Sequence, residues 1–224
     1  MKTLKLSKRL SAAATLVRNG AVCADIGTDH AYIPIYLAQE GISNRILASD
    51  INEGPILSAQ ENIKKYNLED KIETKIANGL DGIEDFKPTD ILICGMGGEL
   101  IAQIIEKSSY VKSEGIRLIL QPMTSVRELR EFLQNGFSTV AENIVLDANK
   151  LYQIICVEYD GKYHEMSDAE LEIGPKNLEN KGLLFEKLLF STIAKKRKKR
   201  DGMLSGGYDT SYIDKEIQEL EKIR

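Results

Sequence analysis

The stretch "AVCADIGTDHAYIP", Ala21 to Pro34, sets acidic side chains and a histidine around a single glycine. Asp25, Gly27, Thr28, Asp29 and His30 close an apolar run, as where a buried strand ends in a ligand-binding turn. A dinucleotide turn needs further glycines, because backbone amides at a helix start must approach a pyrophosphate closely. A carboxylate aimed at a pyrophosphate is repelled, whereas one facing an ammonium or a sulfonium is attracted. The turn therefore favours S-adenosyl-L-methionine, which carries both cations and no phosphate, over a nicotinamide dinucleotide. A nicotinamide-linked oxidoreductase is the competing enzyme class.

Other residues extend the same site. Asp50 ends a second apolar run roughly 20 residues beyond the glycine, the place of an acid that accepts both ribose hydroxyls. Ile51 can pack on an adenine face, and Asn78, before Gly79, can pair with the adenine edge as donor and acceptor. Cys94 leads into Gly95, Met96, Gly97 and Gly98, and glycines at a strand-to-helix junction let another molecule approach the backbone. Cys94 falls inside the strand, where it reads as a buried hydrophobe and not a nucleophile. Gln121, before Pro122, can reach a base edge or serve as an ordinary polar loop residue.

These residues require a scaffold of alternating strands and helices. "AVCADI", "RILASD", "KIETKIA", "DILICG" and "GIRLIL" read as strands buried on both faces, separated by segments with apolar residues at helical spacing. Such alternation predicts an α/β fold, a doubly wound Rossmann-like sheet that is mostly parallel. "FSTVAENIVL" and "LYQIICVEY" are joined only by the turn "DANK", which puts one antiparallel strand at or near an edge. After Asp160-Gly161 a polar connector precedes a helical stretch from about Asn177 to Arg200, the break "SGGYD" and a last helix carrying Ile213, Ile217 and Leu220. The reading is a cofactor-binding domain over residues 1–160 and a helical hairpin over residues 161–224.

The 224 residues, 42% hydrophobic and 29% charged, suit one globular domain with an appendage. Three scattered cysteines without metal-ligand spacing predict no disulfide framework and no metal. The lack of a signal-type apolar segment, and of any run near ~18 apolar residues, predicts a cytoplasmic protein without a membrane span. The net charge of -4 hides two basic blocks, one holding Lys2, Lys5, Lys8, Arg9 and Arg18, the other Lys195, Lys196, Arg197, Lys198, Lys199 and Arg200. Such blocks are commonly solvated faces, but two of them flanking an acidic middle also suit a polyanion.

Taken together, "LSKRL", "ADIGTDHAYIP", "GPILSAQENI", "NGL" at Asn78 to Leu80, "GMGGELI" and "LILQP" resemble the bacterial tRNA (adenine-22-N1)-methyltransferases of the TrmK type. The resemblance spans the whole length. It implies a class I methyltransferase that moves a methyl group from S-adenosyl-L-methionine to N1 of adenine 22 in tRNA, with a coiled-coil-like C-terminal domain. Cofactor contacts are then expected from Asp25, Gly27, Thr28, His30, Asp50, Ile51, Asn78, Gly79 and Gly95. Asp29, His30 and the loop Gly95, Met96, Gly97, Gly98 would orient the base. Lys8, Arg9, Tyr32, Gln121, Pro122 and the Lys195 to Arg200 block would meet the tRNA. A monomer is the working expectation. Another nucleic-acid methyltransferase, a small-molecule methyltransferase and a non-catalytic tRNA-binding protein stand as alternatives.

Overall fold

The computed structural model describes residues 4–223, so Lys2 of the first basic block lies outside the described residues. The chain divides into two compact units, the first ending at His164 and the second starting at Glu165.

In the first unit the strands are β1 (Val22–Ile26), β2 (Arg45–Asp50), β3 (Ile72–Ile76), β4 (Asp90–Met96), β5 (Arg117–Pro122), β6 (Asn135–Asp147) and β7 (Lys150–Tyr163). They form one sheet in the order β3-β2-β1-β4-β5-β7-β6. β1 to β5 pair in parallel, and β7 runs antiparallel to both β5 and β6. The hairpin turn is Ala148-Asn149 with φ of 45° and 63°, the left-handed pair whose twist matches the flanking strands.

Helices cover both faces. One face buries α1 (Lys8–Ala14), α2 (Tyr32–Gln39) and α3 (Glu53–Lys65) through Ala13, Ala14, Ile35, Leu37, Ala59 and Ile63. The other buries α4 (Gly98–Glu106) and α5 (Val126–Leu133) through Ile101, Ile105, Leu129 and Leu133. Strand residues alternate between the two layers: Cys23 faces the first, and Ala24 and Ile26 face the second.

Three expectations change. β3 is an edge strand with Glu73 and Ile76 exposed, not a run buried on both faces, because among the described residues no strand lies beyond it. α1 has no counterpart in the sequence reading. Its seven residues are too few to show a helical period, and its start is set by Ser7, whose hydroxyl accepts the Leu10 N–H. β7 also runs on through Asp160-Gly161 to Tyr163.

The second unit is richer than a hairpin. The supposed polar connector holds α6 (Asp168–Ile173), started by a reciprocal cap between Ser167 and Glu170, and α7 (Pro175–Asn180). The expected helix from Asn177 is broken after Asn180, where Lys181 takes φ 43°, and restarts as α8 (Phe185–Ser205). α8 and α9 (Ser211–Glu221) pack together through a core that includes Leu188, Leu189, Ile213 and Ile217. Among the described residues no helix is long and apolar enough to cross a membrane.

Candidate active site

β1 and β4 lie side by side with Ile26 opposite Ile93, while β2 flanks β1 on its other edge. Connections leaving neighbours at such a reversal of strand order part in opposite directions and open a crevice at the carboxyl ends. A cavity of about 590 Å3 occupies that place. Its wall includes Gly27 after β1, Asp50 and Ile51 at the end of β2, Asn78 and Gly79 after β3, and Met96 at the end of β4.

The turn after β1 is tied down in a way that decides its chemistry. The backbone N–H groups of Gly27 and Thr28 both donate to the Ser49 carbonyl, each at 2.8 Å. Those two amides are therefore spent inside the fold and offer no cradle to a phosphate. Gly27 has φ 77°, a backbone angle that favours glycine, and a Cβ there would push aside the Met96 methyl group at the end of its flexible side chain.

Asp50 accepts the Asn52 N–H on Oδ1 at 2.8 Å, which fixes the carboxylate at the mouth of the cavity. Its other oxygen receives no hydrogen bond from the described residues and is available to a diol. Exposed Ile51 stands beside it, and Leu100 and Ile104 of α4 supply apolar surface across the cavity. An acidic seat, two apolar walls and the Asn78 amide fit the nucleoside of S-adenosyl-L-methionine.

Asp25 is buried, and burial pushes its carboxyl up to about 6 against a smaller opposing pull from the Thr28 hydroxyl. Burial likewise raises the Cys94 thiol, with Asp25 adding to the rise and Arg9 opposing it, so no thiolate forms there near neutral pH. Asp29 and His30 form an exposed pair at 3.3 Å, and the His30 ring stacks on Tyr32 with centroids 5.1 Å apart. Asp25, Thr28, Asp29, His30 and Tyr32 are not part of the cavity wall.

Several site expectations need correction. Gln121 is fully buried: Oε1 accepts from Arg9, and Nε2 donates to the Pro122 carbonyl at 2.9 Å and faces the Met123 sulfur. It has no free edge for a base, and Pro122 is buried with it. Gly98 serves the fold, because its N–H donates to the Thr124 carbonyl at 2.9 Å and a Cβ would collide with the Ser125 carbonyl. A Cβ at Gly97 would meet only the Thr124 hydroxyl, at 3.3 Å. Gly98 thus lets α4 approach the Thr124-Ser125 loop and is not a gap kept for an outside molecule, whereas Gly97 is crowded only by that hydroxyl.

The basic block on α8 divides as well. Lys196, 12% exposed, bridges Glu172 of α6 and Glu216 of α9 at 2.7 Å each. Burial pulls its ammonium down, but the two carboxylates outweigh that and leave its pKa raised. Arg197 pairs with Glu221, and Arg200 with Asp201 and Asp214. Lys195, Lys198 and Lys199 remain exposed, Lys199 with its ammonium 5.8 Å from the Tyr212 ring.

The sequence reading missed the far wall of the cavity, formed by Leu100, Gln103, Ile104 and Lys107 of α4 and its following turn. Their spacing resembles an ordinary core face. The signal was an apolar arc wider than burial needs: Ile101 and Ile105 fill the core, while Leu100 is left 49% exposed.

A mostly parallel sheet with an acid-lined crevice at its order reversal defines a Rossmann-like cofactor-binding class, and comparison with known proteins narrows it. Residues 6–155 match the family described as "Methyltransferase domain". The tRNA (adenine(22)-N(1))-methyltransferase of Bacillus subtilis (strain 168) is 36% identical over 192 residues, 84% of this chain and 81% of that protein. A Streptococcus pneumoniae structure, described as a candidate tRNA (m1A22) methyltransferase in complex with S-adenosyl-L-methionine, has a TM-score of 0.83 and 33% identity, covering 98% of this chain and 99% of that one. The structure of M. capricolum TrmK with the cofactor product S-adenosyl-homocysteine has a TM-score of 0.80 and 29% identity, covering 97% and 96%. The chain belongs to the methyltransferase-domain family, in the tRNA (adenine-N1)-methyltransferase group that these relatives represent.

Proposed function

We propose that the protein transfers a methyl group from S-adenosyl-L-methionine to N1 of adenine 22 in tRNA. The supporting observation is a crevice with an acidic ribose seat at Asp50 and no phosphate cradle at Gly27-Thr28, in a chain 36% identical to an enzyme named for that reaction. When bound, S-adenosyl-L-methionine supplies an electrophilic methyl group on a sulfonium.

Asp50 accepts hydrogen bonds from the ribose hydroxyls, Ile51 and Leu100 flank the adenine of the donor, and Asn78 meets its edge. N1 of the target adenine is a lone-pair nucleophile when neutral, so no residue need first remove a proton. The N1–C bond forms as the C–S bond breaks, and sulfur keeps the electron pair. The target adenine becomes cationic, which the Asp29 carboxylate favours. Base pairing hides N1, so the adenine must leave its stack, and the exposed His30-Tyr32 face offers it a new one. Gly95 and Met96 then position it against the methyl group. Lys8 and the outward lysines Lys195, Lys198 and Lys199 meet tRNA phosphates, in the cytoplasm where tRNA is processed.

Incubating the protein with unmodified tRNA and methyl-labelled donor, then mapping modified nucleosides, tests the reading. Label should appear as N1-methyladenine at position 22 and vanish when that adenine is replaced by guanine. Label at another nucleotide, or none although both ligands bind, overturns it.

A further inference from the structure

The cavity wall runs further than a nucleoside requires. Leu100, Gln103, Ile104 and Lys107 line it from one stripe of α4 and its C-terminal cap, where residues three, four and seven apart share a face. Seven residues advance a helix by about 10 Å at roughly 1.5 Å each, nearly two turns. A donor adenine between Ile51 and Leu100 covers the first of those turns. The second turn, with Ser108, Ser109, Tyr110 and Ser113 beyond it, still borders the same space of about 590 Å3. Across from them stand Leu80, Asp81, Gly82 and Glu84, the turn that follows Asn78.

Both sides of this annex are anchored, so it is open before a ligand arrives. A Cβ at Gly79 would meet Ile104 at 3.1 Å, which shows how closely the turn after β3 already sits against α4. Lys75 Nζ donates to the Gly82 carbonyl at 2.6 Å and ties that turn back to β3, while Leu80 and Ile83 are buried. On the other side Val111 is buried, and the Tyr110 hydroxyl donates to the Pro88 carbonyl at 2.9 Å.

The lining selects the chemistry. Leu80, half-buried Ile104 and the half-buried Tyr110 ring supply apolar surface, and exposed Asp81, Glu84 and Lys107 stand at the rim. Two carboxylates against one ammonium do not suit a phosphate, which excludes an RNA backbone. A neutral group with an apolar body fits such a lining.

We infer that this annex seats a neutral alkyl or aryl group carried on the exocyclic amine of the donor's adenine, so that the protein accepts N6-substituted adenosyl ligands. The inference rests on the methyl-donor reading above and adds a subsite to it. Asn78 meets the adenine edge, and the annex opens from the residues directly after Asn78. A substituent leaving that edge therefore runs between α4 and the 80–84 turn.

Calorimetry without RNA tests it, with S-adenosyl-homocysteine and its N6-benzyl derivative. The parent protein should bind the benzyl compound no more than about fivefold more weakly than S-adenosyl-homocysteine, because the buried ring offsets the altered contact at Asn78. Ser109→Trp and Ser113→Trp, two substitutions at exposed positions, should each weaken the benzyl compound at least about fivefold by filling the annex. Both should leave S-adenosyl-homocysteine within about twofold. A larger loss for the benzyl compound in the parent protein would mean that the adenine edge is closed, and the inference fails. If neither tryptophan changes benzyl binding, the substituent lies elsewhere; if both thioethers weaken equally, the annex is part of the adenine seat. Either result overturns the inference. Failure of the parent protein to bind S-adenosyl-homocysteine at all would refute the methyl-donor reading itself, and the subsite with it.

Discussion

Charges at the strand tips and charges in the helical unit are treated in opposite ways. Beside the cavity, Asp25 is buried with no cation and Arg9 is half-buried with no carboxylate. Within the second unit, Lys196 sits between Glu172 and Glu216, and Arg197 and Arg200 have acidic partners of their own. Charges matched inside the fold hold elements together. Charges left unmatched and partly desolvated are tolerated where a ligand completes them.

The largest expected effect tests the unmatched side. The folded Asp25 carboxyl sits at about 6, above its unfolded value near 3.9, so the unfolded chain binds fewer protons between those limits. Stability should therefore fall as pH rises from about 4 to about 6 and stay lowered above that, by at most roughly 3 kcal/mol for two pKa units. Asp25→Asn should make the cofactor-free protein more stable than the parent at pH 8 and leave it equal at about pH 4. Melting curves across that range check the sign; a constant offset between the two proteins would remove Asp25 as the cause.

Asp50→Ala examines the same region from the ligand side. With S-adenosyl-homocysteine at ~100 times its dissociation constant, binding should stabilise the parent by about 2.7 kcal/mol. Most of that gain should disappear in the variant, and an undiminished thermal shift would exclude the ribose role.

For the matched side, Lys196→Ala strands two carboxylates and should cost about 2 kcal/mol, less than a fully buried pair because the ammonium keeps some solvent contact. Replacing Lys195 and Lys198 with alanine should leave stability within about 0.5 kcal/mol. It should instead weaken tRNA binding and flatten its salt dependence by about one unit of slope for each lysine. Denaturant unfolding and salt-dependent binding separate the two behaviours, and if the Lys195/Lys198 variant binds tRNA normally at every salt concentration, the outer lysines are solvated bystanders.

The smallest effect belongs to Cys94. Its protonated thiol gives it no role as a nucleophile, so Cys94→Ala should keep turnover within a few-fold and bind both ligands normally. Complete inactivity with intact binding, or a covalent enzyme-RNA adduct, would contradict a direct transfer.

Much of the scaffold was legible because buried parallel strands must be apolar and must end where the chain turns polar. "RILASD" is β2 residue for residue, and "DANK" supplies the two-residue hairpin turn. Edge and terminal elements were harder to read. β3 lacks a neighbour on one side, α1 is shorter than two full helical repeats, and α6 and α7 hide in a polar segment that only their caps and mutual packing make helical.

The sequence by itself determined the kind of ligand site: residue types at strand ends follow from local chain geometry, so Gly27, Asp50, Ile51 and Asn78 can be read in order along the chain. Only the tertiary structure decided which polar groups remain available. Gln121 is spent on Arg9 and Pro122, Gly98 on the Ser125 carbonyl and Lys196 on two glutamates, partners at least 20 residues away except for Pro122. A hydrogen bond or ion pair saturates a side chain whatever the sequence distance to its partner, so availability is a property of the folded neighbourhood and not of the motif.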